Sequence, residues 1–228
     1  MTKMINIAID GPSGSGKSTL AKGLAAALGY IYIDTGAMYR AIGLYAALHG
    51  VSAEHPEDVV PLLGQMDLQM RLENGGNAMY LDGVRLGEEI RTSSASHYAS
   101  QVSKVPEVRA FLLETQRSIA RQNNVIMDGR DIGTVILPEA QVKLYMEASP
   151  EQRAKRRLAE LLAKGETITE EQVLEDIKKR DANDSGREIA PAKPAEDAIF
   201  LDNSSLSPAE TVEAALRIIE EKLRTVSV

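Results

Sequence analysis

Cysteine is absent from the 228 residues, which excludes disulfides and thiolate zinc sites, and the three histidines (His49, His55, His97) lack the spacing of a metal cluster. A broad basic surface is missing too: the formal net charge is −7, which opposes sequence-independent binding to nucleic acid or to an anionic membrane. Any anionic ligand must therefore be met by local arginines. No apolar run approaches the roughly 18 residues that span a bilayer. Met1-Thr2-Lys3-Met4 leads straight into an apolar segment, so the chain reads as cytoplasmic, with no membrane or nucleic-acid partner. What is present is 43% hydrophobic residues, enough to bury one good-sized core.

The most informative segment is Gly11-Pro12-Ser13-Gly14-Ser15-Gly16-Lys17-Ser18, directly after the apolar run 5–9. A phosphate chain needs many backbone N–H groups aimed at one point, and a Gly-rich turn feeding a helix N-terminus supplies them with no side chain in the way. Lys17 is then placed to reach the β and γ phosphates, and the Ser18 hydroxyl to bind Mg²⁺. The context agrees, because a strand pattern precedes the segment and a helical one (Leu20, Leu24, Leu28, ended by Gly29) follows it.

Five short apolar runs (5–9, 30–33, 125–127, 142–146 and 198–201) read as buried parallel strands, with helical patterns between most of them. This alternation predicts an α/β fold: an open five-stranded parallel sheet flanked by helices, in one domain over residues 1–228, with ligands beyond the carboxyl ends of the strands. Polar groups stand at those ends: Asp10, Asp34-Thr35-Gly36, Asp128-Gly129-Arg130-Asp131, Glu147 and Asp202-Asn203. Two segments interrupt the rhythm. Residues 67–73 alternate with period two, Gly75-Gly76 reads as a turn, and Asp82-Gly83 marks a hairpin, predicting a three-stranded antiparallel insert within 63–92. From Ser149-Pro150, a capped helix carrying Arg153, Lys155, Arg156 and Arg157 turns at Lys164-Gly165, and a second helix capped at Thr169 runs to about Arg180 before a polar loop. This basic helix pair, residues 150–187, has the make-up of a mobile lid, although charge alone fits a solvated hairpin equally well.

A phosphate loop does not by itself separate a kinase from a GTPase or an ATP-driven switch. Asn-Lys-x-Asp, usual in guanine-specific proteins of the Ras type, is missing. Arginines are plentiful near the strand ends, insert and lid: Arg40, Arg91, Arg109, Arg130, Arg180 and Arg187. A second anionic substrate needs such planar, permanently charged forks, though each one singly serves as well in a surface ion pair.

Residues 11–18, Asp34-Thr35-Gly36-Ala37-Met38-Tyr39-Arg40, Asp128-Gly129-Arg130-Asp131-Ile132-Gly133-Thr134, and Arg180 to Arg187 followed by Ile189-Ala190-Pro191 together resemble the bacterial cytidylate kinases. The similarity covers essentially the whole chain, and the string at 128–134 is its most specific part. Thr35 departs from the Ser that many members carry, but keeps the hydroxyl. The resemblance implies transfer of the ATP γ-phosphate to CMP or dCMP, with ATP bound by residues 11–18 and Thr19 and with Mg²⁺ as cofactor; separately, the chain is expected to act as a monomer. It implies Arg40, Arg130 and Arg187 on the CMP phosphate, Arg180 and Asp184 on the ribose, Ser100, Arg109 and Asp131 on the cytosine, and Thr35 among the acceptor contacts. The basic arm around Arg153, Arg156 and Arg157 is expected to fold over the ATP phosphates, with the choice among the three left open, and Asp128 is expected to hold Mg²⁺ through water.

The cytosine edge presents an amino donor beside acceptors, which suits a carboxylate facing a guanidinium, whereas uracil reverses that edge. No general base is needed, because a phosphate oxygen is already largely ionised near neutrality. Two other readings stay open. One is a P-loop kinase of a sugar or small acid, with Asp34 or Asp131 as base. The other is an ATP-dependent switch with an apolar partner surface.

Overall fold

The computed structural model describes residues 4–73, 76–163 and 165–226. The expected turns at Gly75-Gly76 and Lys164-Gly165, and the first three residues, lie partly or wholly outside them. The strands are β1 (Asn6–Asp10), β2 (Ile31–Asp34), β3 (Leu68–Glu73), β4 (Gly76–Leu81), β5 (Val84–Arg85), β6 (Val125–Gly129), β7 (Val142–Glu147) and β8 (Ile199–Asp202). The α-helices are α1 (Lys17–Leu28), α2 (Thr35–Leu48), the single turn α3 (Val60–Leu63), α4 (Ser93–Val102), α5 (Pro106–Gln122), α6 (Pro150–Ala163), α7 (Glu170–Ser185) and α8 (Pro208–Val226).

The central sheet has the order β2-β6-β1-β7-β8, with every pairing parallel. Its strands are the five apolar runs, each reaching one or two residues further at the carboxyl end, where a polar residue joins the ladder. Asp10, Asp34, Asp128 and Glu147 are thus held in the sheet by backbone pairing, with Asp10 opposite Gly129 and Asp34 opposite Asp128. Side chains alternate across β1. Ile7 and Ile9 pack with Leu20 and Leu24 of α1 and Ala215 and Ile219 of α8, whereas Ala8 joins Ile33, Met127 and Ala120 of α5 on the other face. Burying both faces requires the near-continuous apolar runs seen in the sequence.

The insert is a second sheet, β3-β4-β5, antiparallel throughout, with its hairpin turn at Asp82-Gly83. Its buried Met79 and Leu81 share a core with α2, α4 and α5. The helix pair α6–α7 has its own small core of Ala154, Leu161, Val173 and Ile177. Its second helix opens on a capping box, Thr169 with Gln172. One expectation is corrected here: α7 does not stop near Arg180 but continues to Ser185. The residues expected to start the loop instead finish a helix, which puts Arg180 and Asp184 four apart on one helical face. After β6 the chain turns through a π-helical segment, Ile132–Ile136, that sequence periodicity did not foretell.

Candidate active site

The carboxyl ends of β1, β2 and β6 open into one cleft of about 770 Å³. Most of the residues singled out from sequence line it: Ser13, Gly14, Gly16, Lys17, Ser18, Thr19, Thr35, Arg40, Ser100, Arg109, Asp128, Arg130, Asp131, Arg156, Arg157, Arg180, Asp184 and Arg187. Gly11, Pro12, Ser15, Arg91 and Arg153 do not, nor do Asp10, Glu147 and Asp202 from the strand ends. Gly11 passes so close to β7 that a Cβ there would sit 2.5 Å from the Met146 carbonyl oxygen, and the Ser15 side chain is buried beneath the loop.

Lys17 begins α1 and sends Nζ back over the loop, donating to Pro12 O (2.6 Å) and Ser15 Oγ (3.3 Å). Burial, and after it the charge of Arg130, pulls its ammonium well below the usual lysine range. A cation so desolvated calls for an anion beside it. Next to it, Ser18 Oγ donates to Asp128 Oδ2 (2.8 Å) and Tyr32 Oη donates to Asp128 Oδ1 (3.0 Å), so both oxygens of this buried carboxylate are oriented. Burial, reinforced by Asp34, raises Asp128 to about 6.

The rest of the cleft holds the arginines. Asp34 caps α2 through the Ala37 N–H (2.8 Å) and accepts from Arg40 Nη2 (2.9 Å). Thr35 Oγ1 donates to the Asp128 carbonyl (2.7 Å). Arg109 from α5 pairs with Asp131, and its guanidinium lies 5.8 Å from the centre of the Tyr39 ring. Asp184 accepts from Arg130 Nε (2.8 Å) and from Arg187, and although its burial opposes ionisation these two arginines hold its pKa below the ordinary value. Arg180 is lowered to about 10 by burial and then by Arg130. Ser100 Oγ, Arg180 Nε and Arg187 Nε are buried without a hydrogen-bond partner. Such groups are costly unless something that enters the cleft satisfies them.

Around this end of the cleft five guanidiniums (Arg40, Arg109, Arg130, Arg180, Arg187) face three carboxylates (Asp34, Asp131, Asp184), leaving two positive charges unmatched among the described residues. A phosphomonoester near neutral pH carries about −1.5 to −2.

The cytidylate kinase family model matches residues 7–221, nearly the whole chain. The chain belongs to that family. The cytidylate kinase of Caldicellulosiruptor bescii is 50% identical over 216 residues, 95% of this chain and 96% of that protein. The cytidylate kinase of Caldanaerobacter subterraneus subsp. tengcongensis is 48% identical over 220 residues, 96% of each. A solved structure of an uncharacterized protein from Eubacterium ventriosum aligns with 96% of this chain and 99% of its own, at a TM-score of 0.52 and 15% identity, a likeness of fold alone.

Within this cytidylate kinase fold, the structure narrows the choice among three lid arginines and shows the work of three residues that sequence reasoning overlooked. Arg153, expected with Arg156 and Arg157 over the ATP phosphates, is 3% exposed and turned inward, donating to Ala148 O, Ser13 O and Asp181. Its place on the apolar side of an amphipathic helix, next to Ala154, was the available signal. Arg156 and Arg157 do line the cleft, and Arg156 also donates to Asn203 O (2.8 Å). Tyr32 and Asn203 had no recognised role. Asp10 was noted only by position; its carboxylate accepts from the Ile132 (2.8 Å) and Gly133 (2.7 Å) N–H groups, fixing the turn that follows Asp131.

Proposed function

We propose that this chain is a cytidylate kinase that transfers the γ-phosphate of ATP to CMP or dCMP, giving CDP or dCDP and ADP. The observation that carries the reading is a phosphate loop sharing one cleft with a guanidinium cluster that has two unmatched positive charges. In this reading residues 11–19 hold ATP. Arg40, Arg130 and Arg187 hold the CMP phosphate, Arg180 and Asp184 the ribose, and Ser100, Arg109 and Asp131 the cytosine, with Thr35 bracing the Asp128 carbonyl beneath them.

Two polyanions repel each other, so the chief task is alignment and charge cancellation rather than covalent chemistry. Lys17 and the arginines neutralise charge that develops on the moving group, and the attacking phosphate oxygen needs no base. The α6–α7 hairpin acts as the lid, with Arg156 and Arg157 on its cleft side, and its seating keeps water from accepting the phosphoryl group. The insert within 63–92 forms part of the acceptor side. A single chain supplies every group named, so function as a monomer is part of the proposal.

The residues present fit Mg²⁺ as the companion of ATP. Ser18 and the buried, doubly oriented Asp128 offer one hydroxyl and one carboxylate, and no group of three or more His, Cys, Asp or Glu gathers to hold a metal among the described residues. That donor set suits an ion that keeps most of its waters and leans on substrate phosphates. When bound, Mg²⁺ would neutralise charge between the β and γ phosphates. The decisive experiment is ADP release with ATP, Mg²⁺ and each of CMP, dCMP, UMP and AMP. Turnover with CMP and dCMP well above the others is expected, and no CDP formation would end the proposal.

A further inference from the structure

A peptide unit is planar and, when trans, points its carbonyl and the next residue's N–H in opposite directions. No peptide bond in the described chain is cis. A phosphate loop that aims N–H groups inward must therefore turn carbonyls outward, and each buried carbonyl needs a donor. Ser13 O accepts from Arg153 Nη1 (2.9 Å), and Ser15 O accepts from Asn203 Nδ2 (3.0 Å). The amides set opposite those carbonyls are Gly14 and Gly16, both at positive φ (74° and 91°), so this backbone has no side chain to brace it.

Both donors are buried and already oriented by other partners. Arg153 Nε donates to Ala148 O (3.0 Å) and its Nη2 to Asp181 of α7 (2.6 Å), while Asn203 receives two bonds from Arg156, at 3.3 Å on Oδ1 and 2.8 Å on its carbonyl. A guanidinium serving only the helix hairpin would need only Asp181. This one reaches a loop carbonyl 140 residues away. Arg153 and Arg156 lie three apart on α6, so one helix holds the loop twice, once directly and once through Asn203.

We propose that Arg153 and Asn203 are positioning residues of the phosphate loop: they hold the Ser13 and Ser15 carbonyls outward, aim the Gly14 and Gly16 N–H groups at the bound phosphates, and tie that aim to the seating of the α6–α7 hairpin. The inference rests on reading the loop as the ATP site. Because the link is thermodynamic, phosphate binding and hairpin seating favour each other reciprocally.

The test is equilibrium binding of ADP and of CMP, each alone, by titration calorimetry on the wild type, Arg153→Met, Arg153→Lys and Asn203→Ala, together with KM and kcat. Arg153→Met keeps the stem and removes the donors. ADP affinity falls about tenfold or more, the scale of one lost charge-assisted hydrogen bond, while CMP affinity holds within about threefold. Arg153→Lys falls between, and Asn203→Ala repeats the asymmetry. Equal losses for ADP and CMP, or unchanged ADP affinity, would overturn the inference. If Arg153→Met does not fold, as judged by circular dichroism, Arg153→Lys and Asn203→Ala are read by the same criterion. Wild-type protein that binds CMP but not ADP would overturn the loop assignment itself, whereas wild type that binds both with symmetric losses in the variants overturns the positioning role alone.

Discussion

At the scale of single residues, the proposed base preference rests on the Arg109–Asp131 pair, buried in the cleft that Ser100 also lines. A carboxylate accepts from the cytosine amino group but faces an acceptor in uracil, a mismatch of about 1–3 kcal/mol. Asp131→Asn keeps the shape and removes the charge, and its carboxamide can face either edge. The ratio of kcat/KM for CMP over UMP should then shrink by about tenfold or more, measured in one coupled assay of both substrates. Asp10 offers a second test. Its pKa rises to about 6 because burial penalises the charged form more than the Gly133 and Ile132 N–H groups favour it. The folded chain thus binds a proton there that the unfolded chain has released, so this carboxyl adds stability as pH falls through about 6, and the gain levels off below the unfolded value of 3.8. Relative to Asp10→Asn, which does not titrate, the wild-type melting temperature should rise between about pH 7 and pH 5. A difference that stays flat with pH would remove this account of Asp10.

At the scale of elements, the phosphate loop is legible in sequence because its glycines answer to local geometry. Gly11 has φ of 148° and a backbone neighbour 2.5 Å from where a Cβ would lie, whereas Gly29, ending α1 at φ 68°, has open space around it. Gly29→Ala should cost only the left-handed strain, about 1–2 kcal/mol, while Gly11→Ala should cost clearly more because Met146 of β7 must also move. Urea denaturation of the two variants separates the contributions. The strands were equally readable, since burial on both faces imposes apolar runs. The end of α7 was not. Arg180 to Ser185 is mostly polar and has no apolar period to mark it as helix; the long-range pairs of Asp181 with Arg153 and of Asp184 with Arg130 hold it there, beside the local pair of Asp184 with Arg187. The π-helical turn after Asp131 was invisible for the same reason, because its capping acceptor, Asp10, lies more than a hundred residues earlier in the chain.

At the scale of the whole molecule, a chain of net charge −7 surrounds a cleft whose acceptor end is positive. The surplus is local, so in the proposed function it would gather a small dianion without recruiting polyanions to the outer surface. Added salt should therefore raise KM for CMP several-fold between about 0.05 and 0.5 M, with kcat much less affected, as screening would require. The same series run on melting temperature should show little change, because the buried pairs of Arg109 and Arg153 are shielded from ions. No helix among the described residues is long and apolar enough to cross a membrane.

The amino-acid sequence by itself determined the parallel sheet, the phosphate loop, the antiparallel insert and most of the charged groups that line the cleft, though not Glu160, Glu166, Asp176 or Lys179. Each of these follows from local rules: side-chain periodicity, glycine's reach into positive φ, and the polar residue that closes a strand. Tertiary structure decided which charges are matched and which are left over, turned Arg153 from a phosphate contact into a brace for the loop, and gave Asp10 its grip on the turn beyond Asp131. Those outcomes depend on groups far apart in the chain being brought within 3 Å of each other, and no local pattern encodes such a meeting.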